Sequence, residues 1–180
     1  MNIRTRRFLV AATVVPLTST MLTGSPASAG GGQRTSGPLV TYSAAVPEGA
    51  TARVQTVETG SGRTITTLHV SGLAPNTEYG AHAHTKPCGG TGAAAGPHFQ
   101  NVVDPVSPST NPTYANPANE IWLDLTTNAA GQGRAKSTVD WQFSPTRRAE
   151  SVIIHVEHTR TGPTDSGVAG ARLACLTVPF

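Results

Sequence analysis

Aromatic residues make up only 5% of this 180-residue chain, and charged residues only 13%. No basic run and no aromatic-interleaved patch occurs, which sets aside a nucleic-acid-binding role. The apolar stretch from Phe8 to Leu17 is short and broken by Thr13 and Pro16, which argues against a membrane span. Cysteine appears only twice, as Cys88 and Cys175, with none near the leader to carry a lipid. No segment shows a convincing helical period, while Gly, Pro, Thr and Val are abundant, and that composition favours short strands and turns.

What is present begins with an export signal. Arg4, Arg6 and Arg7 precede the apolar stretch, and Ala27-Ser28-Ala29 supplies small residues for cleavage near Gly30. Residues 1–29 are therefore expected to be a signal peptide, and the protein to be secreted. Thr5-Arg6-Arg7-Phe8-Leu9 also hints at twin-arginine export. Three of the 13 Lys and Arg residues fall in this leader, so the 10 that remain balance 10 Asp and Glu. The mature chain is formally neutral, at about 150 residues long enough for one domain with a sizeable core. Two cysteines in an exported chain read as a disulfide across 87 residues, the other reading being two buried thiols.

Residues 30–37 are polar and glycine-rich and read as a flexible segment ahead of a domain at 38–180. Strand-like runs with turn signals between them follow at 39–45, 52–58, 64–71, 78–84, 120–127, 133–141, 151–157 and 172–178. Eight strands and no helix predict an all-β fold, a Greek-key antiparallel barrel or sandwich. Residues 86–119 break the rhythm with Pro97, Pro105, Pro108, Pro112 and Pro117, and read as a functional loop.

His82-Ala83-His84 lies on the fourth strand, so its two rings share one face. His98, in a Gly-Pro-His-Phe turn inside the long loop, and His155, on a distant strand, complete a possible four-imidazole set. All-nitrogen ligation suits Cu(II), and also zinc, iron and nickel. His69 and His158 read as structural or surface histidines, Lys86 and Arg160 as solvated charges, and Trp122 and Trp141 as core residues.

Gly80-Ala81-His82-Ala83-His84, Ala95-Gly96-Pro97-His98-Phe99, Ser151-Val152-Ile153-Ile154-His155 and Gly170-Ala171-Arg172-Leu173-Ala174-Cys175 resemble, in this order, the motifs of the copper/zinc superoxide dismutases. The resemblance implies a β-sandwich enzyme that dismutates superoxide. It makes His82, His84, His98 and His155 the ligands of one copper ion, Cys88 and Cys175 the intrasubunit disulfide, and Arg172 the residue that draws in the superoxide anion. It also makes His98 the ring that detaches and takes up a proton. Arg172 has a second reading, as an arginine that pins a loop through backbone carbonyls.

The chain departs from the family where zinc would bind. Residues 100–119 contain no histidine, and one carboxylate with one shared imidazole makes no closed zinc site. This resembles the copper-only branch, in which a carboxylate orients the bridging imidazole. Asp124, and after it Glu120, are the candidates. Two further functions stand beside the enzyme: an extracellular protein that binds or sequesters copper without turnover, and an interaction module that keeps only the fold.

Overall fold

The computed structural model describes Met1 and residues 32–180. The expected signal peptide and its expected cleavage near Gly30 lie outside the described residues. Nine strands are present among the described residues: β1 (Gln33–Pro38), β2 (Val40–Thr41), β3 (Thr51–Glu58), β4 (Thr64–Ser71), β5 (Glu78–His84), β6 (Leu125–Thr126), β7 (Gly133–Val139), β8 (Ser151–His155) and β9 (Arg172–Thr177). Among the described residues no α-helix occurs, and a single 3-10 turn spans Gly92–Ala95.

The strands form two antiparallel sheets, one in the order β1-β3-β4-β7 and one in the order β2-β9-β8-β5-β6. The fold is a sandwich and not a closed barrel. The 33–37 part of the segment expected to be flexible is instead strand, paired with β3 from Gln33↔Thr56 to Pro38↔Thr51. Its polar composition hid it because its outward side chains, Arg34 and Ser36, face water. The run at 39–45 shortens to β2: Leu39 is buried where the chain passes from one sheet to the other, and Val40–Thr41 then pairs with β9. The run at 120–127 keeps its alternation, with Ile121, Leu123 and Leu125 in the core. Its ladder is interrupted, leaving β6 and isolated bridges at Glu120 and Trp122.

β4 alternates strictly, burying Thr64, Thr66, Leu68 and Val70 and turning Ile65, Thr67 and His69 outward. A strand covered on one face reads this way. β8 is buried at all five positions because both its faces are covered. Val152 and Ile154 point into the main core with Val54, Leu68, Ala81 and Leu123, whereas Ile153 packs on the other side with Ala95 and Cys175. The outer face of the five-stranded sheet is thus roofed by loops, and the β5 residues on that face include His82 and His84.

Candidate metal centre

β5 and β8 run antiparallel in the register Gly80↔His155, Ala81↔Ile154, His82↔Ile153. The outward positions of β5 therefore bring His82 and His84 beside His155 at the end of β8. A bridge between His84 and His98 fixes the incoming loop against the same strand. Rings from one strand pair and one loop meet, with centroids 4.0 Å apart for His82 and His98, 4.9 Å for His82 and His155, and 4.9 Å for His84 and His98. One nitrogen from each of the four lies within 4.8 Å of the others. His82, His84 and His155 are buried, while His98 retains 18% side-chain exposure.

Hydrogen bonds decide which nitrogen each ring offers. His84 Nδ1 meets the Gly96 carbonyl at 3.0 Å, and His155 Nδ1 meets the Gly170 carbonyl at 3.3 Å. A carbonyl only accepts, so both rings carry hydrogen on Nδ1 and leave a lone pair on Nε2. His98 Nδ1 donates to Glu120 Oε2 at 2.7 Å, which likewise frees Nε2. His82 is reversed. The Thr159 hydroxyl donates to Asp124 Oδ1 at 2.6 Å, so toward His82 Nε2, also at 2.6 Å, it must accept. His82 therefore carries hydrogen on Nε2, and its Nδ1 is the buried side-chain atom that has no partner among the described residues.

The result is one Nδ1 and three Nε2 lone pairs pointing into a shared space. His84 Nε2 and His155 Nε2 face each other at 3.5 Å with no hydrogen between them, an arrangement a cation relieves. An orphaned buried nitrogen and two opposed lone pairs fit a bound transition metal, and imidazole donors suit copper. Burial, followed by the charge of His98, holds His155 down to about 3. Burial first, then the facing imidazoles and Arg172, holds His82 and His84 well below the ordinary histidine value. These rings stay neutral at physiological pH, as metal ligation requires.

Glu120, not Asp124, is the carboxylate on His98. It is almost fully buried and accepts from three donors: His98 Nδ1 and Trp122 Nε1 on Oε2, at 2.7 Å each, and Gln100 Nε2 on Oε1 at 2.8 Å. The bridge between Gln100 and Glu120 aims both side chains inward. Asp124 instead accepts from Ala81 N, Thr159 N and Thr159 Oγ1 and reaches the metal centre only through Thr159 and His82. Thr159, Gln100 and the indole of Trp122 escape a motif reading, since nothing marks them apart from ordinary strand and loop residues. Trp122, expected in the core, is half-buried with its ring edge against His82. Trp141 does pack against the core, beside Phe99 and Phe143.

The Cys88–Cys175 disulfide, with Cα atoms 5.8 Å apart, ties the 85–97 loop to β9. That loop supplies two carbonyls to the centre, Gly96 to His84 and Gly92 to Arg172 Nη1 at 2.7 Å. Glycine is required at both positions. A Cβ on Gly92 would stand 2.7 Å from the Arg172 Cβ, and Gly96 has a φ of 72° with Thr85 Oγ1 2.5 Å from its would-be Cβ. Arg172, His98 and His155 share the lining of a cavity of about 290 Å³ beside the four rings. His158 bonds the Leu125 carbonyl, His69 lies on the other sheet, and Arg160 pairs with Glu157 and Asp165 in solvent.

A sequence model of copper/zinc superoxide dismutase (SODC) matches residues 49–178. No curated protein sequence matches the chain. Among solved structures, the Cu/Zn superoxide dismutase from Brucella abortus is similar at a TM-score of 0.58 and 19% identity, covering 82% of this chain and all (100%) of that one. A double mutant of a SOD-like protein from Bacillus subtilis is similar at 0.54 and 19%, covering 71% of this chain and 88% of its own. The clock protein EA4 is similar at 0.54 and 20%, covering 81% and 93%. At these identities the structures bear on the fold alone. The sequence match over most of the chain, set on a sandwich that gathers four imidazoles at one sheet face, places the protein in the copper/zinc superoxide dismutase family.

Proposed function

We propose that the protein is an exported, copper-dependent superoxide dismutase that works with one copper and with Glu120 in the position the family gives to zinc. The observation that carries this reading is the convergence of four ring lone pairs whose opposite nitrogens are all committed to other partners. His82 Nδ1 and the Nε2 atoms of His84, His98 and His155 would hold the ion. Copper, when bound, supplies one-electron chemistry by alternating between Cu(II) and Cu(I), so that two superoxide anions and two protons become dioxygen and hydrogen peroxide.

The chain's own residues supply the rest. Arg172 lines the cavity beside His98 and His155, and its guanidinium keeps its charge at any working pH, so it draws an anion toward the rings. Arg147 lines the same cavity, held there by the Gln100 and Asn101 carbonyls. His98 is the most exposed of the four rings and can exchange a proton at Nε2 while Glu120 holds Nδ1. Trp122 and Gln100 fix Glu120 in turn, so the carboxylate cannot swing away when His98 changes charge.

A second reading, copper binding without turnover, draws on Arg172 being half-buried and hydrogen-bonded to Gly92, which commits part of the guanidinium to the loop. Loading purified protein separately with copper and zinc, then measuring bound metal and dismutation under chelation of free copper, distinguishes the two. One copper, little zinc and activity lost in His155→Ala support the dismutase. Tight copper without activity would move the protein to the carrier class. Export is tested by the N-terminal mass of secreted protein, expected to begin near Gly30.

A further inference from the structure

The outer face of the four-stranded sheet, on the opposite side of the sandwich from the four histidines, collects positive charge that no acid answers. Arg53 on β3 lies directly across from His69 on β4, which lies across from Arg134 on β7. The next outward row carries Arg34 on β1 and Lys136 on β7, opposite Gln55 and Thr67. Among the described residues none of these four cations forms an ion pair, whereas Arg63, Arg148 and Arg160 all do. Cations gathered on one sheet face with no acid beside them repel one another, and a bound anion would relieve that repulsion. Their fields overlap at His69, held below the ordinary histidine value by burial and then by Arg53, Arg134 and Arg34.

An open depression of about 1080 Å³ lies here, lined by Arg34, Arg53, His69 and Arg134. Ser36, Asn128 and Gln132 add hydroxyl and amide groups, and no carboxylate, Phe, Tyr or Trp lines it. We propose that this face binds an anionic polysaccharide, a sugar chain bearing carboxylate or sulfate groups, through Arg34, Arg53, Arg134 and Lys136. Guanidinium forks match carboxylate and sulfate oxygens, and the hydroxyl and amide groups match sugar hydroxyls. The cations come from β1, β3 and β7, with β3 and β7 two strand spacings (about 10 Å) apart, and a spread across the width of the sheet suits the repeated charges of a polymer better than a single small anion. The absence of stacking rings disfavours a single-stranded nucleic acid, and none of the exposed large apolar residues lies on this face to enter a membrane. Binding here leaves the copper cavity open.

The test uses copper-loaded protein on immobilised heparin (sulfated) and alginate (carboxylated), with neutral dextran as control. Retention on at least one charged matrix is expected, weakening as salt rises. Arg53→Gln with Arg134→Gln should lower affinity about tenfold or more while leaving dismutation and Tm intact, and Arg160→Gln should change nothing. Retention no better than on dextran, an equal loss in Arg160→Gln, or tighter binding to single-stranded DNA or phosphatidylglycerol vesicles would overturn the proposal.

Discussion

At the scale of single residues, the centre rests on four anchors that never touch the lone pairs: Glu120, Thr159 and the Gly96 and Gly170 carbonyls. Truncating Glu120 to Ala would leave the His98, Trp122 and Gln100 donors without an acceptor in a buried site, at about 1–3 kcal/mol for each one left unsatisfied. Glu120→Ala should therefore lower Tm clearly and weaken copper binding by about 10–100-fold, read by chelator competition. Thr159→Val keeps the shape but removes the hydroxyl between Asp124 and His82, freeing the His82 tautomer. It should weaken copper binding with less effect on Tm than Glu120→Ala, and unchanged affinity would remove Thr159 from the account. The four clustered histidines are legible in the sequence because two share a strand face and two sit in distinctive motifs. The choice of Glu120 over Asp124 is not, because it depends on which way each side chain turns in an interrupted ladder.

The same rings set a pH dependence for metal-free protein. His155 is held down to about 3, so between the ordinary histidine value of about 6.5 and that point the unfolded chain binds a proton that the folded chain does not. Its contribution to stability is complete above the unfolded value and is lost as pH falls through the window, by about 1.4 kcal/mol per unit for this one group. His82 and His84 act in the same direction. Thermal melts of metal-free protein should show Tm falling steadily from pH 7 toward pH 4, and a Tm flat across that range would contradict the buried neutral rings.

At the scale of elements, the disulfide and the 85–97 loop act as one piece with the centre. Cys88→Ala with Cys175→Ala is expected to cost about 2–5 kcal/mol of stability. It should also loosen Arg172 and His84, because both donate a hydrogen bond to a carbonyl of that loop. Activity per bound copper should then fall even at temperatures where the variant stays folded. In the core, Leu68 on β4 is fully buried, and Leu68→Ala should cost about 2–5 kcal/mol by denaturant titration without altering copper content. β4 and β5 match the sequence reading at both ends because their alternation and turn residues are strong. β1 was missed since its inward positions, Thr35 and Gly37, are only half-buried, and a strand that buries little leaves little pattern.

At the scale of the whole molecule, the 10 Lys and Arg beyond residue 29 balance 10 Asp and Glu, yet the charges separate in space. Arg172 and Arg147 line the cavity over the rings, while Arg34, Arg53, Arg134 and Lys136 cover the far sheet. No sequence window shows the second group, because its members come from three strands and meet only through the register of the sheet. Steering by Arg172 predicts that Arg172→Gln retains copper, lowers kcat/KM by about tenfold or more, and flattens the dependence of rate on ionic strength. A variant with full kcat/KM would leave Arg172 only its loop-pinning role.

The central claim is that His82, His84, His98 and His155 bind one copper through four ring nitrogens. The electron paramagnetic resonance spectrum of protein loaded with one equivalent of Cu(II) tests it most directly. The account predicts a single species with coupling to four nitrogens, collapsing in His82→Ala. Several weak species, or oxygen-dominated ligation unchanged by His82→Ala, would contradict it.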